Sequence, residues 1–344
     1  MEKFYIIDTT LRDGEQTAGV NFTLKEKIEI AKKLDEIGVD IIEVGIPAMG
    51  LEEEKVMKTL VNLNLNSKIM SWNRIVKEDV LKSIEYGIKN IHISAPVSDI
   101  HIEKKLRKTR NWVMEETKKC IKLAKDNNCL VSIGGEDSSR ADKDFLVEFY
   151  KMAQEEGASR IRFADTLGTL DPITSYEIIR EIKEQIKIDI DFHGHNDFGM
   201  ATGNAPLEEI LACVKYILNI EKPYKLHKLK ELSQYVEKAS GKYIQDWKPI
   251  VGKSVFSHES GIHVDGIIKD ASTYEFLNPS ELGRKREIVI GKHTGTSAIM
   301  SVYKDMGYSM LNEEAKNIVE IIRNEFESNK KFDVMKFLEK KRLT

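Results

Sequence analysis

The stretch Ile188-Asp-Ile-Asp-Phe-His-Gly-His-Asn-Asp197 decides how this chain is read. It is a short β-branched run that stops on two histidines and a polar turn. Six runs of the same kind precede it, at 4–8, 40–46, 68–73, 90–95, 130–135 and 160–165. Successive starts lie 36, 28, 22, 40, 30 and 28 residues apart, the spacing of strand–helix units. Several runs are apolar on both faces, as expected of strands covered on each side. Helical patterns fill the intervals: Ile28, Ala31, Leu34 and Ile37 share a face and Gly38 ends the run. Asp142 opens a helix that closes at Gly157, and Asp171-Pro172 is an N-cap followed by a proline at the first helical position.

Seven units in series favour a (β/α)8 barrel over a doubly wound sheet. No glycine-rich dinucleotide fingerprint follows the first strand, and Gly252-Lys253-Ser254 lacks the upstream glycine of a phosphate-binding loop. In a barrel, chemistry gathers at the C-terminal ends of the strands. Those ends carry Asp8-Thr-Thr-Leu-Arg-Asp-Gly-Glu-Gln16, Glu136-Asp137, Asp165-Thr166 and His193-Gly-His195. His193 and His195 stand two apart on an extended segment, so their rings point the same way. With Asp13 they make two imidazoles and one carboxylate, a facial set with open positions for a divalent ion. Such an ion keeps positive charge and suits an anionic chelate such as a 2-oxo acid. Arg12 stands beside it to stabilise an oxyanion.

Composition narrows the class. Among 344 residues, 53 Lys and Arg face 56 Asp and Glu, and a net charge of -3 gives no reason to expect nucleic acid as a partner. No apolar stretch approaches the ~18–20 residues of a membrane span. The strand-like run begins at Phe4, which leaves no room for a secretory leader. Cys120, Cys129 and Cys213 have neither paired spacing nor an even count, so a cytoplasmic, reduced chain is expected. The sequon at Asn21-Phe22-Thr23 is then a chance match.

The motifs Asp8–Gln16 and Phe192–Asp197 resemble the two signatures of the Claisen-condensing synthases of the metal-dependent barrel lyase superfamily, the isopropylmalate, citramalate and homocitrate synthases. Further runs are similar to the nitrogenase-associated branch of the homocitrate synthases: Gly45–Gly50, Ser71–Arg74, Ile93–Ile100, Gly135–Asp142, Arg162–Gly168, Lys248–Gly252 and His258–Gly266. The resemblance implies condensation of acetyl-CoA with a metal-chelated 2-oxo acid, here 2-oxoglutarate, and release of CoA. It implies Asp13, His193 and His195 as metal ligands, with Mg2+ or Mn2+ preferred and Zn2+ an option. Arg12 is matched to the ketone oxygen, Gln16 and Thr166 to the oxo acid, and Glu136 to acid–base work. His263 and Tyr274 match residues that reach over a partner's barrel in a homodimer. His263 is preferred as the base because its ordinary pKa lies near neutrality.

One place departs from the family. After His195-Asn-Asp the family carries a helix, an eighth strand and a Gly-Glu-Arg turn before Gly-Asn-Ala. This chain passes from Thr202 directly to Gly203-Asn204-Ala205, although a parallel crossover needs at least ~10–12 residues. Three readings compete: a stretch skipped at Thr202–Gly203, whose Cα atoms lie ~3.8 Å apart if bonded; a deletion that leaves the barrel open; or Arg286–Gly291 in place of the lost strand. A deletion casts doubt on Asn204, whose family counterpart lies beside the metal. It also raises the possibility of a homologue that condenses poorly and serves as a binding or assembly subunit.

The expected organisation is a barrel domain over 1–222 and a mostly helical subdomain over 223–344 that contributes lid and dimer contacts. Residues 225–239 read as a solvated basic helix and 312–342 as terminal helices. The chain has no segment resembling the regulatory domain usual in isopropylmalate synthases, which favours homocitrate synthase, although short citramalate synthases look alike here.

Overall fold

The structure, a computed structural model, describes residues 4–197, 206–329 and 332–341. Seven parallel strands form one sheet in sequence order: β1 (Ile7–Asp8), β2 (Ile41–Glu43), β3 (Lys68–Arg74), β4 (Asn90–Pro96), β5 (Leu130–Glu136), β6 (Arg160–Asp165) and β7 (Asp189–Gly194). Each lies inside or within one residue of its expected run. A helix follows each of the first six strands, over Leu24–Ile37, Leu51–Val61, Lys77–Glu85, Arg110–Asp126, Lys143–Glu155 and Pro172–Gln185. A consecutive strand order with helical crossovers is the winding of a TIM-type barrel.

Local chemistry sets the helix ends. Thr23 and Glu26 form a capping box ahead of Leu24–Ile37, and Gly38 ends that helix at φ 102°. The buried stripe is Ile30, Ala31, Leu34 and Ile37; Ile28 is only half-buried. Asp142 and Asp171 cap their helices through side-chain hydrogen bonds, as their positions in sequence suggest.

The sheet curls so that strands far apart in its order face each other across the interior. β2 and β6 are four strands apart, yet Arg162 of β6 donates to Glu43 of β2 at 2.8 Å across the interior. Among the described residues β1 and β7 have no neighbour on their outer edges, so the barrel has seven strands and an open seam. β4 in the middle is buried along nearly its whole length, whereas the first four residues of β7 are exposed or half-buried. A cavity of 1840 Å³ occupies the seam. Arg286–Gly291 does not fill it. Glu287–Ile288 (β9) pairs instead with Ser257–His258 (β8) in a separate two-stranded sheet, where its backbone groups find their partners. The junction at Thr202–Gly203 and Asn204 lie outside the described residues. The next described helix is Leu207–Tyr216.

The chain divides into two compact units. One comprises Met1–Lys225 with Glu231–Tyr243, and the other Leu226–Lys230 with Ile244–Thr344. The second has its own core, built from Val264, Ile299, Tyr303, Ile318 and Ile322 on the helices Gly261–Lys269, Thr296–Asp305 and Asn312–Ser328. No helix among the described residues is long and apolar enough to cross a membrane.

Candidate metal centre and active site

The turn after β1 and the end of β7, the two edges of the seam, carry the metal-ligand candidates. Asp13, His193 and His195 offer ligand atoms that all lie within 4.8 Å of one another. His193 Nε2 is 3.3 Å and His195 Nε2 3.9 Å from Asp13 Oδ2, and the two rings meet nearly edge to face at 77°. Two neutral nitrogens and one anionic oxygen converging from two elements fit a divalent cation with open positions. Burial alone would raise the Asp13 carboxyl. The hydrogen bond from His193 and the charge of Arg12 outweigh it and hold the group well below the ordinary carboxylate range.

The end of β7 keeps its place through β6. The His195 amide donates to the Asp165 carbonyl at 3.2 Å, and Gly168 packs beneath it at φ 57°. A Cβ on Gly168 would come within 2.6 Å of the Asp197 amide nitrogen. Gly168→Ala is therefore expected to push the His195 turn outward and weaken Mn2+ binding while the barrel stays folded. Mn2+ titration beside a circular dichroism spectrum checks this; wild-type affinity would refute it.

Arg12 is held rigidly. Its Nε donates to Glu43 Oε1 at 2.5 Å and its Nη1 to Asp13 Oδ1 at 2.6 Å, with Gln16 Oε1 at 3.4 Å and the Trp72 ring 5.7 Å away. Glu43 is fully buried and also accepts from Arg162, which in turn donates to Asp191 of β7 at 2.6 Å. Burial opposes the Glu43 carboxylate, but the two guanidinium groups more than offset it and keep its pKa below the ordinary range. The sequence reading missed Glu43 and Asp191 and gave Arg162 no role. The signal was present: a single Glu in the apolar run 40–46 has to find a buried partner.

Thr166 and Glu136 lie on adjacent strand ends. Thr166 Oγ1 accepts from the Asp137 amide at 2.9 Å, while Glu136 accepts from Lys105 Nζ at 2.6 Å. Among the described residues no hydrogen bond joins Glu136 directly to His193 or His195; the link runs through Asp137, Thr166 and Asp165. His263 and Tyr274 belong to the second unit, where their ring centroids lie 4.3 Å apart. Gly266 permits that stack, since a Cβ there would approach the Tyr274 ring to 2.6 Å.

Deeper in the barrel His92 is buried against Ser132 at 3.0 Å. Burial, and then the charge of Arg162, push its pKa well below the ordinary value, so it stays neutral. The unfolded chain then binds the proton that the native state refuses, and His92 costs stability as pH falls below ~6.5. His92→Gln is expected to flatten the drop in urea midpoint between pH 6.5 and 5; an unaltered slope counts against it.

The chain belongs to the HMGL-like family, whose model matches residues 3–207. A second model, described as homocitrate synthase post-HMGL domain-like, matches residues 250–330. Relatives include 2-isopropylmalate synthase 2 of Caldanaerobacter subterraneus subsp. tengcongensis, 46% identical over 93% of this chain and 90% of that protein. Homocitrate synthase 1 of Nostoc is 42% identical over 94% and 93%. Since that isopropylmalate synthase is matched over most of its length, chain length does not separate the two activities. A solved hydroxymethylglutaryl-CoA lyase from Pseudomonas aeruginosa superposes with a TM-score of 0.62 at 16% identity over 70% of this chain and 94% of its own, a likeness of fold. The first alignment runs to 344 positions but takes up 93% of these 344 residues. About two dozen positions of the relative thus have no counterpart here, enough for one crossover helix and strand.

Proposed function

We propose that the chain is an acyltransferase of the Claisen type, condensing acetyl-CoA with a 2-oxo acid at a divalent metal held by Asp13, His193 and His195. The observation that carries this is the convergence of those three groups beside an Arg12 locked by Glu43. When bound, Mg2+ or Mn2+ (or Zn2+) would polarise the ketone. Arg12 receives the charge that develops on the ketone oxygen, Gln16 flanks the oxo acid and Thr166 meets its carboxylate. A base takes a proton from the acetyl methyl group, the carbon attacks the ketone carbon, and water then cleaves the thioester to free CoA. His263 is proposed as that base, Glu136 as a partner in proton transfer and Tyr274 as the ring that orients His263. The stack of His263 on Tyr274, with Ile262 and Phe276 exposed nearby in sequence, supports a homodimer in which each copy offers this unit to its partner. The free Cys120, Cys129 and Cys213 support a cytoplasmic setting.

For the oxo acid we propose 2-oxoglutarate, and so a homocitrate synthase of the nitrogenase-associated type serving nitrogen fixation, on the strength of the motif runs between residues 45 and 266. The 46% identity to a protein named 2-isopropylmalate synthase favours 2-oxoisovalerate as a second reading, and pyruvate tests the citramalate alternative. Thiol release from acetyl-CoA, measured with each of the three acids, with Mn2+ and with chelator, decides. Release that needs 2-oxoglutarate and vanishes with chelator is expected. Release independent of any oxo acid refutes the synthase reading, and tight Mn2+ binding without release supports the assembly-subunit reading. Grafting the relative's missing positions between Thr202 and Gly203 is expected to raise both thermal stability and turnover. Unchanged turnover and stability would show that the open barrel is complete as it stands.

A further inference from the structure

The segment after β4, Val97-Ser-Asp-Ile-His101, brings one imidazole between the two carboxylates at the end of β5, Glu136 and Asp137. His101 Nδ1 lies 3.7 Å from Glu136 Oε1, and Nε2 lies 3.7 Å from Asp137 Oδ2. Nδ1 is buried and has no hydrogen-bond partner, one of three such side-chain atoms among the described residues. The two carboxylates differ in kind. Asp137 is fully buried and accepts from Ser98 Oγ at 2.5 Å and from Arg140 at 2.7 Å, while its own amide donates to Thr166. Burial raises its carboxyl, but the Arg140 and Ser98 hydrogen bonds prevail and keep it a standing anion. Glu136 is partly exposed at the strand end and shares the oxygen that faces His101 with Lys105. A fixed anion behind an imidazole, with a second carboxylate in front, is the arrangement by which an imidazole is oriented and its charged form stabilised.

We propose that His101 is the positioning residue for Glu136, taking up the proton that Glu136 collects and returning it when Glu136 acts as an acid. The role of Glu136 here rests on the condensation proposed above. In the forward step the O–H bond of protonated Glu136 breaks as an N–H bond forms at Nδ1. The ring becomes an imidazolium whose Nε2–H faces Asp137, and the reverse step restores both groups. No other reactant is consumed. Both 3.7 Å gaps lie just beyond hydrogen-bond reach, and such bonds commonly tighten only in the loaded enzyme. The other charges around the ring are Lys105, which competes for the Glu136 oxygen, Arg140, which binds Asp137 from the far side, and Glu103 and Lys104, exposed on the turn of His101 itself.

The test uses His101→Gln, Glu136→Gln and the double variant in the full chain. With His101→Gln, kcat is expected to fall at least tenfold, a part of the ~10²–10⁴ that acid–base assistance as a whole supplies. The KM for the oxo acid and the Mn2+ affinity should stay within about twofold, and one limb of the pH–rate profile should disappear. The double variant should be no slower than Glu136→Gln alone, because the two groups act as one unit. Losses that multiply, or a fall in Mn2+ affinity that accounts for the lost rate, overturn the proposal. A second measurement is independent of turnover: in histidine-labelled protein, Glu136→Gln must move the imidazole titration of His101 followed by NMR. If the wild type releases no thiol with any oxo acid, the condensation reading falls. The titration then decides the pair alone, an unmoved curve overturning it and a displaced curve supporting it.

Discussion

Glu43→Ala is expected to destabilise the chain by about 3–5 kcal/mol, the usual cost of removing one partner from a buried ionic cluster. The carboxylate is fully buried and holds Arg12 and Arg162 together from opposite walls of the barrel. Without it the hydrogen-bond partners left among the described residues are Asp13 and Gln16 for Arg12 and Asp191 for Arg162. Two guanidinium groups then sit in the interior with part of their counter-charge gone. In a barrel with an unpaired seam the effect reaches further, because Glu43–Arg162 spans the interior from β2 to β6. Turnover should fall with stability, since Arg12 loses the bond that aims it. Glu43→Gln separates charge from shape. The native carboxylate titrates below its unfolded value, so its stabilisation is fully present above the ordinary ~4.3 and is lost as pH falls toward the native value. The gap in urea midpoint between wild type and Glu43→Gln should therefore be wide at pH 7 and close as the pH drops below ~4. A gap that stays constant would show that charge is not the cause.

His193→Ala is expected to lower Mn2+ affinity by more than ~100-fold, since even residues that only support a ligand commonly cost 10–100-fold. Oxo-acid-dependent thiol release should vanish with it. The protein should remain folded, because the His193 ring faces Asp13, itself a ligand candidate, and the barrel ladder runs through backbone atoms. Isothermal titration with Mn2+, beside thermal melting, separates the two effects. Wild-type affinity in His193→Ala would remove the histidines from the metal centre and with them the basis of the proposed reaction. His195→Ala should behave alike with a smaller loss of packing, since that ring is more exposed.

Much of this was legible along the chain. The seven strands stand where β-branched runs recur, because a parallel strand buried on both faces has little choice of composition. The pair His193 and His195 announced itself through the two-residue period of an extended segment, which places both rings on one face whatever the rest of the fold does. Asp13 and Arg12 were visible as an uncommon cluster of charge at a strand end. Glu43 was harder, since a strand position alone does not say which charge lies across the barrel. His101 was harder still. It is 35 residues from Glu136 in sequence, and only the pairing of β4 with β5 sets the two side by side.

The span from His195 to Gly203 was also readable as shorter than a crossover helix and strand require, although its junction lies outside the described residues. What the amino-acid order determined by itself was therefore local: which runs are strands, where helices start and which strand ends carry chemistry. Those features follow from short-range periodicity and from backbone geometry. Only the tertiary structure decided which distant charges became partners. Curling of the sheet, not spacing in the chain, brings Glu43 to Arg162 and Asp13 to His193. It also leaves β1 and β7 as facing edges, because closure of a barrel is a property of all its strands together.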